Sequence, residues 1–432
     1  MRRMAGLTPI VPSRGSRARL AARITLAARS SLAAAMVAVA LSVPCAPAFA
    51  AEAPSFRNGA PPAVDAKSVI IVDMANGDVL YERDADAPIP PASLAKIMTM
   101  MIALDAVDSG RISLSDRVSI TRQDATLPYR SSLMYLAEGM SVPFDDLLRG
   151  MAVISGNDAA LTVARVLAGS TSGFAELMNA EAKRLGLEAT RFVEPSGLSE
   201  FNVTTAREMA ILSRAYLLRH PNAISDYHSR TTMNFPRADV MPEGVDPPAV
   251  KILLQSTNKL LFSYDGCDGL KTGYIDESGY NLVATAERDG TRFIIVTLGG
   301  ESGPGGRERS GKALLDWSFS AWKTVRPVAP EPAPVRAWGG AQETVELAYA
   351  ERPIFTVPAS LASGVTARIE AETEVEAPVE AGTRLGRIVF VSGGSVVRRI
   401  DLVAASDVRL GNVFVRVRDA LVRFFRRIFV KA

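Results

Sequence analysis

At 432 residues, with 48% hydrophobic side chains and a formal net charge of +3, the chain is long enough for two globular domains with tails. The positive sign belongs to one end: residues 1–50 hold seven arginines and no acidic residue, so past residue 50 Lys+Arg falls from 49 to 42 against 46 Asp+Glu, a balance of about −4. That balance argues against a nucleic-acid partner, and Cys267, the only cysteine past residue 50, leaves no intrachain disulfide there.

The basic start is followed by an apolar run, Leu32 to Val43, and by Ala48-Phe49-Ala50. This pattern predicts a secretory signal peptide over 1–50 and hence export; the run is well short of the ~20 residues of a membrane span. The surroundings of Cys45 match a lipoprotein signal poorly, and Arg2-Arg3 lies too far from the apolar run for a twin-arginine signal. A Pro/Ala-rich lead covers 51–65. Ser68–Asp73 and Asp78–Glu82 then read as strands joined by a turn at Asn76-Gly77.

After a proline-rich entry (Pro88, Pro90, Pro91), Leu94, Ile97, Met98, Met101 and Ile102 recur with helical period and predict a helix facing a core. Ser93 and Lys96 stand three apart at its start, within reach of each other on one face. A serine hydroxyl is a weak nucleophile until a neighbouring base takes its proton, and a buried lysine amine can be that base. Taken alone, such a pair is commoner as a capped helix turn with an outward lysine than as chemistry.

From Pro143 to Leu167 the pattern is helical, broken at Ile154-Ser155-Gly156-Asn157. Ser155 and Asn157 therefore belong to a turn between two buried helices, where polar side chains can enter a cleft or simply cap the second helix. Cys267 to Tyr274, Tyr280 to Glu287 and Arg292 to Leu298 predict an antiparallel meander, with Lys271-Thr272-Gly273 on its first strand. Gly273 suits close approach of a ligand backbone; the same tripeptide also fits a solvated edge. A helix running from Arg307 through Trp317 and Trp322 closes the domain. His220 and His228, the only histidines, show no metal-ligand spacing and are expected at the surface, so neither a metal site nor a Ser-His-Asp triad is expected.

Together, Ser93-x-x-Lys96, Ser155-Gly-Asn157 and Lys271-Thr-Gly273 resemble the motif set of penicillin-binding proteins and serine β-lactamases. The surrounding Ala92–Thr99, Ile154–Ala160, Asn202–Ala210 and Gly269–Tyr274 are similar to the low-molecular-weight penicillin-binding proteins, the serine D-alanyl-D-alanine carboxypeptidases. Ala95 and Ile275 stand where threonine is common, and neither is a catalytic position. The resemblance covers nearly all of the chain past the signal segment. It implies an α/β penicillin-binding catalytic domain, an antiparallel sheet with helices, over 66–325, and no cofactor.

The roles it implies are these. Ser93 is the nucleophile, Lys96 its base, and Ser155 a proton relay helped by Lys271. Asn157 binds the acyl-side carbonyl and holds Lys96. Lys271, Thr272 and Arg307 hold the substrate carboxylate, with Arg309 a neighbouring alternative to Arg307. The backbone N–H groups of Ser93 and Tyr274 form the oxyanion hole. The partners implied are the peptidoglycan stem peptide, as substrate, and β-lactams, as covalent inhibitors. Rival readings are a D,D-endopeptidase, a β-lactamase with Glu194 as deacylating base, and a non-enzymatic β-lactam sensor or wall-binding scaffold.

A proline-rich linker is expected over 326–340 and a small all-β domain, a sandwich resembling the same family's C-terminal domain, over 341–410. In 411–432, Phe414, Val417, Leu421, Phe424, Phe425, Ile428 and Phe429 fall on one helical face and Arg416, Arg423, Arg426, Arg427 and Lys431 on the other. This amphipathic helix suits attachment to an anionic membrane surface, which would place the protein on the outer face of the inner membrane, in the periplasm. Docking on the β domain is the alternative.

Overall fold

The computed structural model describes residues 60–127 and 131–429. The expected signal peptide, most of the lead segment and the last three residues of the chain lie outside them.

Five antiparallel strands form the central sheet: β1 Ser68–Asp73, β2 Val79–Arg83, β3 Cys267–Ile275, β4 Gly279–Arg288 and β5 Thr291–Gly300, in the order β2-β1-β5-β4-β3. Both faces of the sheet are covered, which is why β1 reads as a continuous apolar run. Ile70, Val72, Val283, Ile294 and Val296 face a large helical core, whereas Val69, Ile71, Ala284 and Ile295 pack on Leu314 and Leu315.

The helical side holds α1 Lys96–Asp108, α2 Phe144–Val153, α3 Asn157–Ala168, α4 Thr171–Arg184 and α5 Ala206–Arg219; α6 Gly303–Ala321 covers the other face. The expected one-sided stripe on α1 is not what the fold uses. Lys96 through Leu104 are all buried, because α1 runs through the middle of the helical layer. A helix apolar all round is a buried helix.

Trp322 ends the closing helix and starts a strand, Trp322–Val325, which pairs with Phe355–Pro358. The proline-rich stretch is irregular over 326–334, and Val335–Trp338 is already a strand, pairing with Thr344–Val345 and, in parallel, with Glu374–Glu376. A four-stranded antiparallel sheet built on the hairpin Arg384–Ser392 and Ser395–Ala404 packs against both smaller sheets, giving the β-sandwich. Arg398 joins this domain to the catalytic one: its buried guanidinium pairs with Asp78 at 3.0 Å and with Glu351 at 2.9 Å.

The terminal helix, α7 Val413–Phe429, lies against the sandwich through its polar side. Asp419, 3% exposed, accepts the Gly339 N–H at 2.8 Å, and Arg423 pairs with Glu376. The guanidinium groups of Arg336, Arg423 and Arg426 gather over the Trp338 ring. Phe414, Val417, Leu421, Phe424 and Phe425 are left exposed, Phe414 at 86%. Docking and an outward aromatic face, set against each other by the sequence, coexist on one helix. Among the described residues no helix is long and apolar enough to cross a membrane.

Candidate active site

Ser93 lies in a single helical turn, Ala92–Ala95, that leads directly into α1, with Lys96 the first residue of the helix proper. Ala92 has φ +50°, a left-handed conformation that a residue with a Cβ adopts only when its surroundings enforce it. Two glycines make that enforcement possible. A Cβ on Gly273 would stand 2.9 Å from Pro91 O and 3.1 Å from Ser93 N, and one on Gly197 would overlap Ala92 O at 1.9 Å. The absent side chain at Gly273, expected to admit a ligand, also admits the nucleophile's own turn.

Lys96 is fully buried, and its Nζ stands 3.1 Å from Ser93 Oγ, 2.6 Å from Asn157 Oδ1 and 2.6 Å from Ser196 O. Two of these neighbours can only accept. A neutral amine has two N–H bonds and one lone pair, so donating to Asn157 and Ser196 leaves the lone pair for Ser93. Burial pushes the Lys96 ammonium down to about 7, opposed by the Glu194 and Asp158 carboxylates. Acylation of Ser93 is therefore expected to climb with pH through about 7, the rate at pH 6 being about a tenth of its plateau. A stopped-flow or gel-based acylation profile checks this; a flat profile between pH 5.5 and 8 contradicts it.

Lys271 on β3 is likewise fully buried and donates to Thr272 O at 2.9 Å. Burial first, and then the charges of Lys96 and Arg307, hold it well below the usual lysine range. The two lysines sit close enough to repel.

The cleft in front of these amines, about 270 Å³, is lined by Ser93, Ser155, Asn157, Thr272, Gly273, Tyr274 and Arg307 among others. Ser155 occupies the turn between α2 and α3 with φ +62°, and its buried Oγ finds no hydrogen-bond partner among the described residues. A strained residue with an orphaned hydroxyl, aimed into a cleft, marks a site that a ligand completes. With its Oδ1 engaged by Lys96, Asn157 keeps its amide N–H groups for a ligand. Thr272 Oγ1 shares a 2.8 Å hydrogen bond with Thr257 Oγ1.

Arg307, one turn into α6, is 7% exposed, reaches Thr257 O at 3.5 Å and the Glu308 carboxylate at 3.9 Å, and has a buried Nε with no hydrogen-bond partner among the described residues. A buried guanidinium with donors to spare suits an anion. Arg309 does not line the cleft, so Arg307 is the arginine the geometry selects. Tyr274, at the mouth, donates its hydroxyl to Asp276 at 2.6 Å and stacks on Tyr280 at 4.4 Å.

The histidines are not at the surface. His220 is buried between the Asp105 and Asp108 carboxylates, 3.1 Å from each. His228 lies under β3: Leu270 O can only accept, so Nδ1 carries the proton and donates at 3.0 Å, and Nε2 accepts from Tyr216 Oη at 2.9 Å. Burial holds the imidazole at about 3, uncharged, and neither histidine lines the cleft.

Ser131, Ser132, Leu198 and Thr257 also line the cleft, and Ser196 supplies a carbonyl to Lys96; the sequence singled out none of them. Glu194 does not face the cleft as a deacylating base would. Its carboxylate is turned into its own loop.

A buried amine paired with a serine, on a mixed α/β domain with a substrate-sized cleft, defines a serine hydrolase. Residues 55–302 match the family model described as D-alanyl-D-alanine carboxypeptidase, and residues 323–409 match that of the penicillin-binding protein 5 C-terminal domain. The D-alanyl-D-alanine carboxypeptidase DacC of Escherichia coli is 34% identical over 378 residues, covering 85% of this chain and 90% of that protein. Penicillin-binding protein 5 of Haemophilus influenzae superposes with a TM-score of 0.71 at 30% identity, over 81% of this chain and 99% of that one. Penicillin-binding protein D2 of Listeria monocytogenes, solved in its cefotaxime-bound form, superposes at 0.52 with 32% identity over 60% of this chain and all of that one. The chain belongs to the D-alanyl-D-alanine carboxypeptidase family of serine peptidases.

Proposed function

We propose that the protein removes the terminal D-alanine from peptidoglycan stem pentapeptides, through an acyl-enzyme on Ser93. The observation that carries this reading is the Lys96 amine, whose third position is aimed at Ser93 Oγ. Lys96 takes the hydroxyl proton as Ser93 attacks the carbonyl of the penultimate D-Ala, and the Ser93 backbone N–H donates to the developing oxyanion. Ser155, with Lys271 behind it, passes a proton to the departing amine. Asn157 holds the acyl-side carbonyl, while Thr272, Lys271 and Arg307 hold the free carboxylate. Water then hydrolyses the ester and frees Ser93.

A β-lactam offers the same cleft a strained acyl group, and the cefotaxime-bound relative supports covalent inhibition here. Fluorescent penicillin should therefore label the wild type and leave Ser93→Ala unlabelled. Label persisting on Ser93→Ala places the nucleophile elsewhere.

Export through the 1–50 segment and peripheral membrane attachment through α7 belong to the same reading. The outward Phe414, Phe424 and Phe425 support attachment, since exposed aromatic side chains gain from leaving water. Much of the basic side already engages the sandwich, so the aromatic face supplies the larger share of the affinity. Deleting 411–432 is expected to move the protein from membrane to soluble fraction. Unchanged sedimentation contradicts the anchor.

A further inference from the structure

The loop between α4 and α5 touches the catalytic pair through its backbone, and one side chain gives that backbone its shape. Glu194 Oε2 accepts the Ser196 N–H at 2.7 Å and the Ser196 hydroxyl at 2.5 Å. Oε1 accepts the Gly197 N–H at 2.6 Å and Asn202 Nδ2 at 2.7 Å, with the Ser199 N–H at 3.4 Å. Asn202, fully buried, closes the loop by accepting the Val193 N–H at 2.7 Å. Folded this way, the loop turns two successive carbonyls onto α1: Pro195 O accepts from Thr99 Oγ1 at 2.7 Å and Ser196 O from Lys96 Nζ at 2.6 Å. The next residue, Gly197, lies against the backbone of Ala92 and Ser93.

We propose that Glu194 is a positioning residue for acylation, its carboxylate holding the 194–199 turn in the shape that presents Ser196 O to Lys96. Without that carbonyl, one of the two acceptors that orient the amine is lost, and its lone pair is no longer confined to Ser93. The side chain also contributes charge. Lys96 faces the carboxylates of Glu194 on this loop and Asp158 on α3, the amine of Lys271 on β3, and the neutral Ser93 and Asn157. Removing one carboxylate favours the neutral amine, so the acid limb of the acylation profile moves to lower pH while its plateau falls. No amide can replace the carboxylate without opposition, because both oxygens accept from N–H donors and an amide NH2 would meet one set of them.

The inference rests on Lys96 being the base of Ser93, and the test separates the two. Acylation by fluorescent penicillin is followed against pH for the wild type, E194Q, E194D and E208Q, with melting temperatures alongside. Glu208 braces the same loop through the Ala189 N–H and the Thr190 hydroxyl and serves as the control. For E194Q the expected result is a plateau lowered roughly tenfold and an acid limb displaced down by about half a pH unit to one unit. E194D keeps the charge on a shorter arm, so its plateau falls with the limb in place; this variant decides the question if E194Q does not fold. E208Q loosens the loop without moving the limb. A wild-type plateau in E194D, a wild-type profile in E194Q, or an equal limb shift in E208Q overturns the proposal. Lys96→Arg is run alongside, and if it acylates at the wild-type rate the parent reading falls instead.

Discussion

Lys96→Arg is expected to lower acylation of Ser93 by at least ~10³-fold while the protein stays folded. Arginine keeps the positive charge and can still donate to Asn157 Oδ1 and Ser196 O, the two acceptors around the wild-type amine. It cannot supply a lone pair near neutral pH, because a guanidinium does not deprotonate in a protein. The larger head overpacks a fully buried position, at about 1–3 kcal/mol, within the stability of an ordinary domain of about 5–15 kcal/mol. Labelling with fluorescent penicillin, read beside a thermal melt, checks both halves. Retained labelling would mean that Lys96 serves by charge alone and that another group takes the proton.

Gly197→Ala should be nearly as damaging, through geometry alone. Gly197 has φ +83°, and an added Cβ would lie 1.9 Å from Ala92 O and 2.8 Å from Ser93 N. Those are backbone atoms, which have no rotamer to escape into. The backbone conformation costs about 1–2 kcal/mol, and relieving the overlap must displace either the loop carrying Ser196 O or the turn carrying Ser93. Gly110 isolates the two effects: its φ is +71° and nothing stands within 4 Å of its would-be Cβ. Gly110→Ala is therefore expected to lower stability by about 1–2 kcal/mol with labelling intact, whereas Gly197→Ala loses labelling at any temperature. Equal behaviour of the two variants would show that the loop is not packed on the nucleophile.

How much of this was legible in the sequence follows from what kind of group acts at each point. Side-chain chemistry at fixed spacing was readable: Ser93 with Lys96, Ser155 with Asn157, and Lys271 on the first strand of the meander stand around one cleft or directly behind it. So was the central sheet, because β4 and β5 alternate or run apolar on either side of the Asp289-Gly290 turn. What was hidden depends on tertiary placement. Ser196 acts through a carbonyl, which every residue has, and Ser131 and Ser132 reach the cleft because Asp158 accepts the N–H groups of Met134 and Leu136 and so folds their loop back. The stripe on α1 could not show that helices would cover its remaining sides. The histidines looked like surface residues because nothing in the local sequence announces Tyr216 or Asp105 as partners. At the C-terminus the two-faced pattern was plain. Which face meets the protein was decided by Asp419 on Gly339 N and by Arg423 and Arg426 over Trp338, contacts across 80 residues or more.

The direct measurement is D-alanine release from a stem pentapeptide by the wild type and by Ser93→Ala, at equal concentration and with both shown to be folded. The wild type should liberate one D-alanine per peptide, and the variant should fall by at least ~10³-fold. Undiminished release by Ser93→Ala, or a wild type that takes the penicillin label yet frees no D-alanine, would contradict a carboxypeptidase working through Ser93.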